Sequence, residues 1–274
     1  MCETCGCNHQ QSPVITGGPK YGGNFRPEDI IFTGGDTENN GGKKREIEVK
    51  ENVLGKNQDL AQSNRAFFNT HKILAINLMG SPGSGKTTLI IKTIEALKGE
   101  AEIFVVEGDQ FGSLDADRIR ETGIDVLQIN TGNGCHLDAD SVGRAIRELP
   151  LKANALLIIE NVGNLVCPAL FDLGEHEKVV VFSVTEGDDK PLKYAPMFHE
   201  ASICIINKVD LMTYVDFDQE KARANLRQIN HHLLVHTLSS GQGTGMPEWI
   251  ETLREKMKSL QSEKRNAHAT KKEG

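Results

Sequence analysis

One stretch constrains the fold more than any other: Gly80-Ser81-Pro82-Gly83-Ser84-Gly85-Lys86-Thr87-Thr88. It follows the apolar run 73–79 and precedes Leu89-Ile90-Ile91-Lys92-Thr93-Ile94, so a strand, a glycine-rich turn and a helix succeed one another. In that context a G-x-x-x-x-G-K-[ST] match carries a mechanism. Glycines let successive backbone N–H groups close around a phosphate, and the helix N-terminus adds partial positive charge to the same anion. Gly83, Ser84, Gly85 and Thr88 are expected to cradle phosphate, Lys86 to reach the outer phosphates, and the Thr87 hydroxyl to hold Mg²⁺. The chain is therefore expected to bind a nucleoside triphosphate.

The 274 residues leave room for one such domain plus extra segments, and the net charge of −7 gives no global field favouring nucleic acid or membrane. No apolar run approaches the roughly 20 residues of a membrane span, and the N-terminus lacks a signal-peptide pattern. The expectation is a soluble, cytoplasmic protein. Six cysteines are too few for a disulfide scaffold, yet three of them crowd into the first seven residues.

Those three, Cys2, Cys5 and Cys7, can converge on one soft or borderline metal ion, with Gly6 allowing the tight fold between the last two. Zinc would require a tetrahedral fourth ligand, whereas nickel tolerates a planar site completed by the N-terminal amine or His9. A thioredoxin-like C-x-x-C needs a βαβ context that does not follow. Residues 10–45 are glycine- and asparagine-rich with few large apolar side chains, and read as a flexible linker between this motif (1–9) and a domain at 46–262. The spacing predicts a helix over 46–71, weakened early by Gly55, and a disordered polar tail over 263–274.

From residue 73 onward the pattern is regular. Strands are predicted at 73–79, 102–107, 124–129, 155–160, 179–184, 202–207 and 233–238, and helices near 87–98, 114–122, 138–149, 216–232 and 246–260. Apolar, β-branched strands alternating with helices indicate an α/β fold: a mostly parallel sheet of about seven strands, helices on both faces, and a ligand site at the strands' carboxyl ends.

Asn207-Lys208-Val209-Asp210 follows one such strand and resembles the guanine-recognition step of GTPases. The Asp210 carboxylate can accept two N–H bonds from the guanine edge, with Asn207 and Lys208 bracing base and phosphate loop, and Ser239-Ser240-Gly241 contacting the base through its backbone. GTP is thus preferred over ATP as ligand. The Mg²⁺-side acid is either Asp109 or Glu160, each at a strand end, with helix capping a rival role for Asp109. No glutamine occupies an obvious Ras-like switch position, which predicts slow turnover dependent on a partner or on dimerisation.

Two further cysteines fall at strand ends: Cys135-His136 after strand 124–129, and Cys167 after strand 155–160. If those strands are neighbours, two thiolates and an imidazole approach one another, a set suited to Zn²⁺ or Ni²⁺. Cys204, inside an apolar strand, reads as core.

Taken together, Cys2-x-x-Cys5-Gly6-Cys7, the loop at 80–88, Glu107-Gly108-Asp109-Gln110, Gly134-Cys135-His136, the run Glu160-Asn161-Val162-Gly163-Asn164-Leu165-Val166-Cys167-Pro168 and Asn207-Lys208-Val209-Asp210 resemble the nickel-incorporation GTPases of nickel–iron hydrogenase maturation. The resemblance covers 1–7 and nearly all of 73–250. It implies a P-loop GTPase of the superclass that includes signal-recognition-particle GTPases and cell-division ATPases (SIMIBI type), dimerising with GTP. It implies a tight nickel site at the N-terminus and a nickel or zinc site from Cys135, His136 and Cys167 at the dimer surface. The implied partners are a nickel metallochaperone of the same pathway and the hydrogenase large subunit, to which nickel would be delivered. Some relatives carry a histidine-rich nickel store; this chain has none, so large-scale storage is not implied. The competing readings are a urease-type nickel GTPase, which leaves the N-terminal cysteines unexplained, and a nickel or zinc storage or sensing module with structural nucleotide.

Overall fold

The computed structural model describes residues 40–110, 112–132 and 134–269, with side chains between 54 and 262. Seven parallel strands form one sheet in the order β3-β2-β4-β1-β5-β6-β7. They are β1 (Leu74–Gly80), β2 (Ile103–Asp109), β3 (Asp125–Asn130), β4 (Leu156–Glu160), β5 (Glu177–Ser183), β6 (Ile203–Asn207) and β7 (Leu234–Thr237). β1 and β4 are buried along their whole length, whereas the edge strands β3 and β7 are partly exposed, as a two-faced parallel sheet requires. Each of the seven predicted strands is present within two residues of its expected limits.

Alternation along the strands divides the core. On one face Leu74, Ile76, Leu78, Val105, Ile158 and Val181 pack against α2 (Lys86–Leu97) and α9 (Met246–Ala269). The single tryptophan, Trp249 of α9, is buried there and donates its indole N–H to Thr93 Oγ1 at 2.9 Å. On the other face Ala75, Phe104, Val106, Leu157 and Ile159 meet α1 (Asn40–His71) and α4 (Ala139–Glu148). Beyond β1 that face continues with Val180, Phe182, Cys204 and Ile206 under α5 (Cys167–Leu170), α7 (Ala195–Glu200) and α8 (Gln219–Ile229). A short α3 (Leu114–Arg120) follows β2, and α6 (Lys190–Lys193) precedes α7. Cys204 is the core residue its apolar strand implied, and burial drives its thiol pKa far above the ordinary range.

Three expectations are revised. α1 starts at Asn40 and passes through Gly55, where an added Cβ would meet nothing within 4 Å, so the glycine costs helix propensity without marking a break. Its C-terminal half is fixed by tertiary contacts: Asn64 Nδ2 donates to Ala139 O and Leu173 O, and Arg65 grips both oxygens of Asp172 at 2.7 and 2.8 Å. α9 runs on to Ala269, into the segment read as a disordered tail. Most consequential, β3 and β4 are not neighbours, because β2 lies between them. Among the described residues no helix is long and apolar enough to cross a membrane.

Candidate functional site

The order of strands reverses its direction at β1, with β4, β2 and β3 on one side and β5 to β7 on the other, and the glycine-rich loop leaves β1 at this switch point. Gly83 and Gly85 adopt left-handed φ angles of 75° and 98°, a region costly for other residues. α2 then starts at Lys86, its N-terminus facing a cavity of about 390 Å³ lined by the loop, Glu107, Asp109, Glu160 and Lys208. A larger cavity of about 510 Å³ lies beside α1 between Asn57, Arg65, Asp172 and Lys178. It has no glycine-rich turn in its lining, so phosphate chemistry belongs to the smaller one.

Lys86 Nζ donates to the carbonyls of Gly80 and Ser81, each at 3.3 Å. Burial pushes its pKa down, and Glu160 pulls it back up. Thr87 Oγ1 donates to Glu160 Oε1 at 2.9 Å, so hydroxyl and carboxylate already face one point. Asp109 lines the same cavity, but its two oxygens accept the backbone N–H groups of Gln110 (2.7 Å) and Gly112 (2.9 Å) and so close its own turn, while the residue at the start of α3 is Ser113. The acid that sequence reading passed over is Glu107, paired with Glu160 across β2 and β4. Burial, with the neighbouring carboxylate adding to it, pushes Glu107 up to about 8. Burial raises Glu160 to about 7, opposed by Lys86. One buried oxygen of each lacks a hydrogen-bond partner among the described residues, the donor set a hard divalent cation would complete. The available signal was parity: Ile103, Val105 and Glu107 share the face that α2 covers, as do Leu156, Ile158 and Glu160.

The base side is tied to the phosphate loop by one amide. Asn207 Nδ2 donates to Ser84 O (2.9 Å) and Ser240 Oγ (3.1 Å), while its Oδ1 accepts from Ser240 N and Lys208 N. Lys208, at a left-handed φ of 60°, donates Nζ–H to Gly83 O at 2.6 Å. Asp210 stands half-buried in the 3₁₀ turn Val209–Tyr214, and Ser239 Oγ accepts from Gln242 N at 3.1 Å. A Cβ on Gly85 would lie 2.4 Å from Asn207 Nδ2. Gly85→Ala is therefore expected to cost about 1–3 kcal/mol in backbone strain, visible as a fall of several degrees in melting temperature together with weakened nucleotide binding. An unchanged melting curve would show that this close approach is not maintained.

The second set also assembles, by a different route from adjacent strands. The segment after β3 crosses the end of β2: Thr131 N donates to Asp109 O at 2.8 Å, and Leu137 sits so close over Gly108 that a Cβ there would meet it at 2.8 Å. This crossing brings Cys135 Sγ to 2.6 Å from Cys167 Sγ, with all ligand atoms of Cys135, His136 and Cys167 within 4.8 Å of one another. Both cysteines are buried. His136 stacks on Phe171, ring centres 3.8 Å apart, a positioning contact with no sequence signature. Burial pushes the His136 pKa down, against a smaller upward pull from Asp138, which keeps an imidazole lone pair available. Cys2, Cys5, Cys7 and His9 lie outside the described residues.

Residues 74–237 match the family model described as CobW/HypB/UreG, nucleotide-binding domain. The hydrogenase maturation factor HypB of Escherichia coli (strain K12) is 52% identical over 211 residues, which span 77% of this chain and 73% of that protein. The chain belongs to the HypB family. A probable HypB of Methanocaldococcus jannaschii is 40% identical over 214 residues, 78% of this chain and 97% of that one. The crystal structure of HypB from Archaeoglobus fulgidus superposes with a TM-score of 0.70 at 41% identity, covering 74% of this chain and 99% of the other. HypB from Helicobacter pylori, solved in complex with nickel, gives 0.71 at 35%, covering 74% and 96%. As a HypB protein the chain is a P-loop GTPase.

Proposed function

We propose that this HypB protein binds nickel as cargo at Cys135, His136 and Cys167 and releases it, under control of GTP hydrolysis, during maturation of a nickel–iron hydrogenase. The observation that carries the reading is the convergence of two buried thiols and an imidazole on loops that flank Glu160. Thiolate and imidazole donors suit Ni²⁺ or Zn²⁺, so zinc is the competing occupant of the same site. Lys86 holds the outer phosphates, Gly83, Ser84, Gly85 and Thr88 cradle the rest, and Asp210 reads guanine with Asn207, Lys208, Ser239 and Ser240 in support. Thr87 and Glu160 would hold Mg²⁺, with Glu107 or Asp109 through water; the ion supplies charge neutralisation at the phosphates. Cys2, Cys5 and Cys7 form a separate nickel site ahead of α1. GTP-dependent pairing of two copies, a nickel metallochaperone as donor and the hydrogenase large subunit as acceptor complete the proposal.

The test is nickel affinity by competition with a chelator, measured with GDP and with a non-hydrolysable GTP analogue. The two states should differ by about 5–150-fold, the usual allosteric range, and nickel should change nucleotide affinity by the same factor. Cys167→Ala should abolish the difference while nucleotide binding and one nickel equivalent at the N-terminal cysteines persist. Equal affinities in both states of the unsubstituted chain would reduce the cluster to a structural metal site, and hydrolysis unaffected by nickel would favour a storage module.

A further inference from the structure

We propose that Asn161 is a positioning residue that carries nucleotide state to the Cys135–His136–Cys167 cluster and so sets its metal affinity; this rests on the reading of that cluster as a nucleotide-linked cargo site.

Successive residues at a strand end point to opposite faces of a sheet. At the end of β4 the two faces have different tasks. Glu160 turns toward α2 and accepts the Thr87 hydroxyl, while Asn161, 1% exposed, turns toward the side where the metal-bearing loops lie. Its Oδ1 accepts Leu137 N–H at 3.0 Å, one residue past His136, and Val162 N–H at the same distance. Its backbone N–H donates to Leu78 O of β1 at 2.9 Å, two residues ahead of the phosphate loop. One amide therefore holds the cysteine–histidine segment to the strands that present the phosphate site.

The same amide reaches the other half of the cluster. Asn161 Nδ2 donates to Oδ1 of Asn77, a fully buried polar residue in the middle of central strand β1 (3.2 Å). Asn77 Nδ2 donates to Glu175 Oε1 at 3.1 Å, and Glu175 Oε2 accepts Leu173 N–H at 2.7 Å. Leu173 lies two residues beyond Phe171, the ring stacked on His136, and six beyond Cys167. Both arms of the cluster thus hang from one buried chain of hydrogen bonds that starts beside Glu160. The segment after Asn161 touches the phosphate loop as well: Gly163 lies so near Pro82 that a Cβ would meet it at 2.9 Å, and Gly80 pairs with Asn164. Buried groups in such a chain have few other partners, so a shift of Glu160 toward or away from its ligand moves Leu137 and Leu173 with it instead of being absorbed by solvent.

The experiment uses the full chain carrying Cys2→Ser, Cys5→Ser and Cys7→Ser, so that nickel titrates only the cluster, with Asn161 intact or replaced as Asn161→Leu. Nickel affinity is measured by chelator competition in Mg²⁺–GDP and in Mg²⁺ with a non-hydrolysable GTP analogue. With Asn161 the ratio of affinities should be at least about 5-fold; with Asn161→Leu it should fall to within about twofold. A merely structural role would weaken nickel in both states by one common factor and leave the ratio unchanged, which overturns the proposal alone. A ratio near one with Asn161 present overturns the underlying reading and this proposal with it. Should Asn161→Leu fail to fold, hydrogen exchange decides on the chain with Asn161. The amides of Leu137 and Leu173 should exchange at different rates in the two nucleotide states, and identical rates overturn the proposal.

Discussion

Asp210→Asn is expected to lower kcat/KM for GTP by about 10²–10⁴-fold and to make xanthosine triphosphate the better substrate. The carboxylate offers two acceptors to the two N–H groups on the guanine edge. An amide offers one acceptor and one donor, which leaves an N–H facing an N–H. Xanthine carries a carbonyl where guanine carries its amino group, so the amide's donor finds a partner again. The scaffold for this discrimination does not depend on Asp210 itself. Asn207 ties the turn to Ser84 and Ser240, and Lys208 ties it to Gly83, so the substitution alters recognition without loosening the loop. Steady-state kinetics with both triphosphates check the outcome, and an unchanged kcat/KM for GTP would remove the residue from base recognition.

Lys86→Ala should reduce turnover by on the order of 10³-fold, the scale on which removal of one preorganised charged donor acts at a developing anion. The ammonium is held inside the loop by two backbone carbonyls and is largely withdrawn from solvent, which preorganises its charge beside the cavity. Its removal also strips Glu160 of the positive charge that opposes the upward push of burial, which would weaken that carboxylate in the Mg²⁺-holding role proposed for it. Nickel bound by Cys2, Cys5 and Cys7 should be unaffected if, as proposed, that site is separate from the phosphate loop. Single-turnover hydrolysis and nickel stoichiometry on the same preparation separate these effects. Retained turnover would contradict the catalytic role, and loss of the N-terminal nickel would contradict the independence of the two sites.

Much of the architecture was legible because the strands are short, apolar and punctuated: Ile203-Cys204-Ile205-Ile206 is β-branched at three of four positions, bounded by polar residues and too short for a helix of ordinary length. α5, α6 and α7 were not legible. They are four to six residues long, too short to show a helical period, and each has a proline in its first turn. The glycine-rich turn after β1 and the Asn207-Lys208 step were legible as motifs because they are sequence-local, and the structure adds that Asn207 and Lys208 tie the two together. The cysteine cluster was legible as composition but not as geometry. Strand order is a tertiary property, and nothing in 124–129 or 155–160 announces that β2 is inserted between them. Glu107 was overshadowed by Asp109 because both sit at the same strand end and on the same face. Only the hydrogen bonds from Gln110 and Gly112 show that Asp109 is occupied with its own turn.

The crossing of β2 has a further consequence, for the order of events as the chain is made. Synthesis delivers Cys135 and His136 well before Cys167, and the two segments meet only once β4 has been inserted between β2 and β1. Before the sheet is built, Cys135 and His136 are not held beside Cys167, so this cluster lacks its third donor. Because the complete donor set exists only in the native state, metal binding favours that state alone. The three N-terminal cysteines, by contrast, fall within seven consecutive residues and require no sheet to bring them together. One donor set is thus contiguous in the sequence, while the other is complete only in the finished sheet.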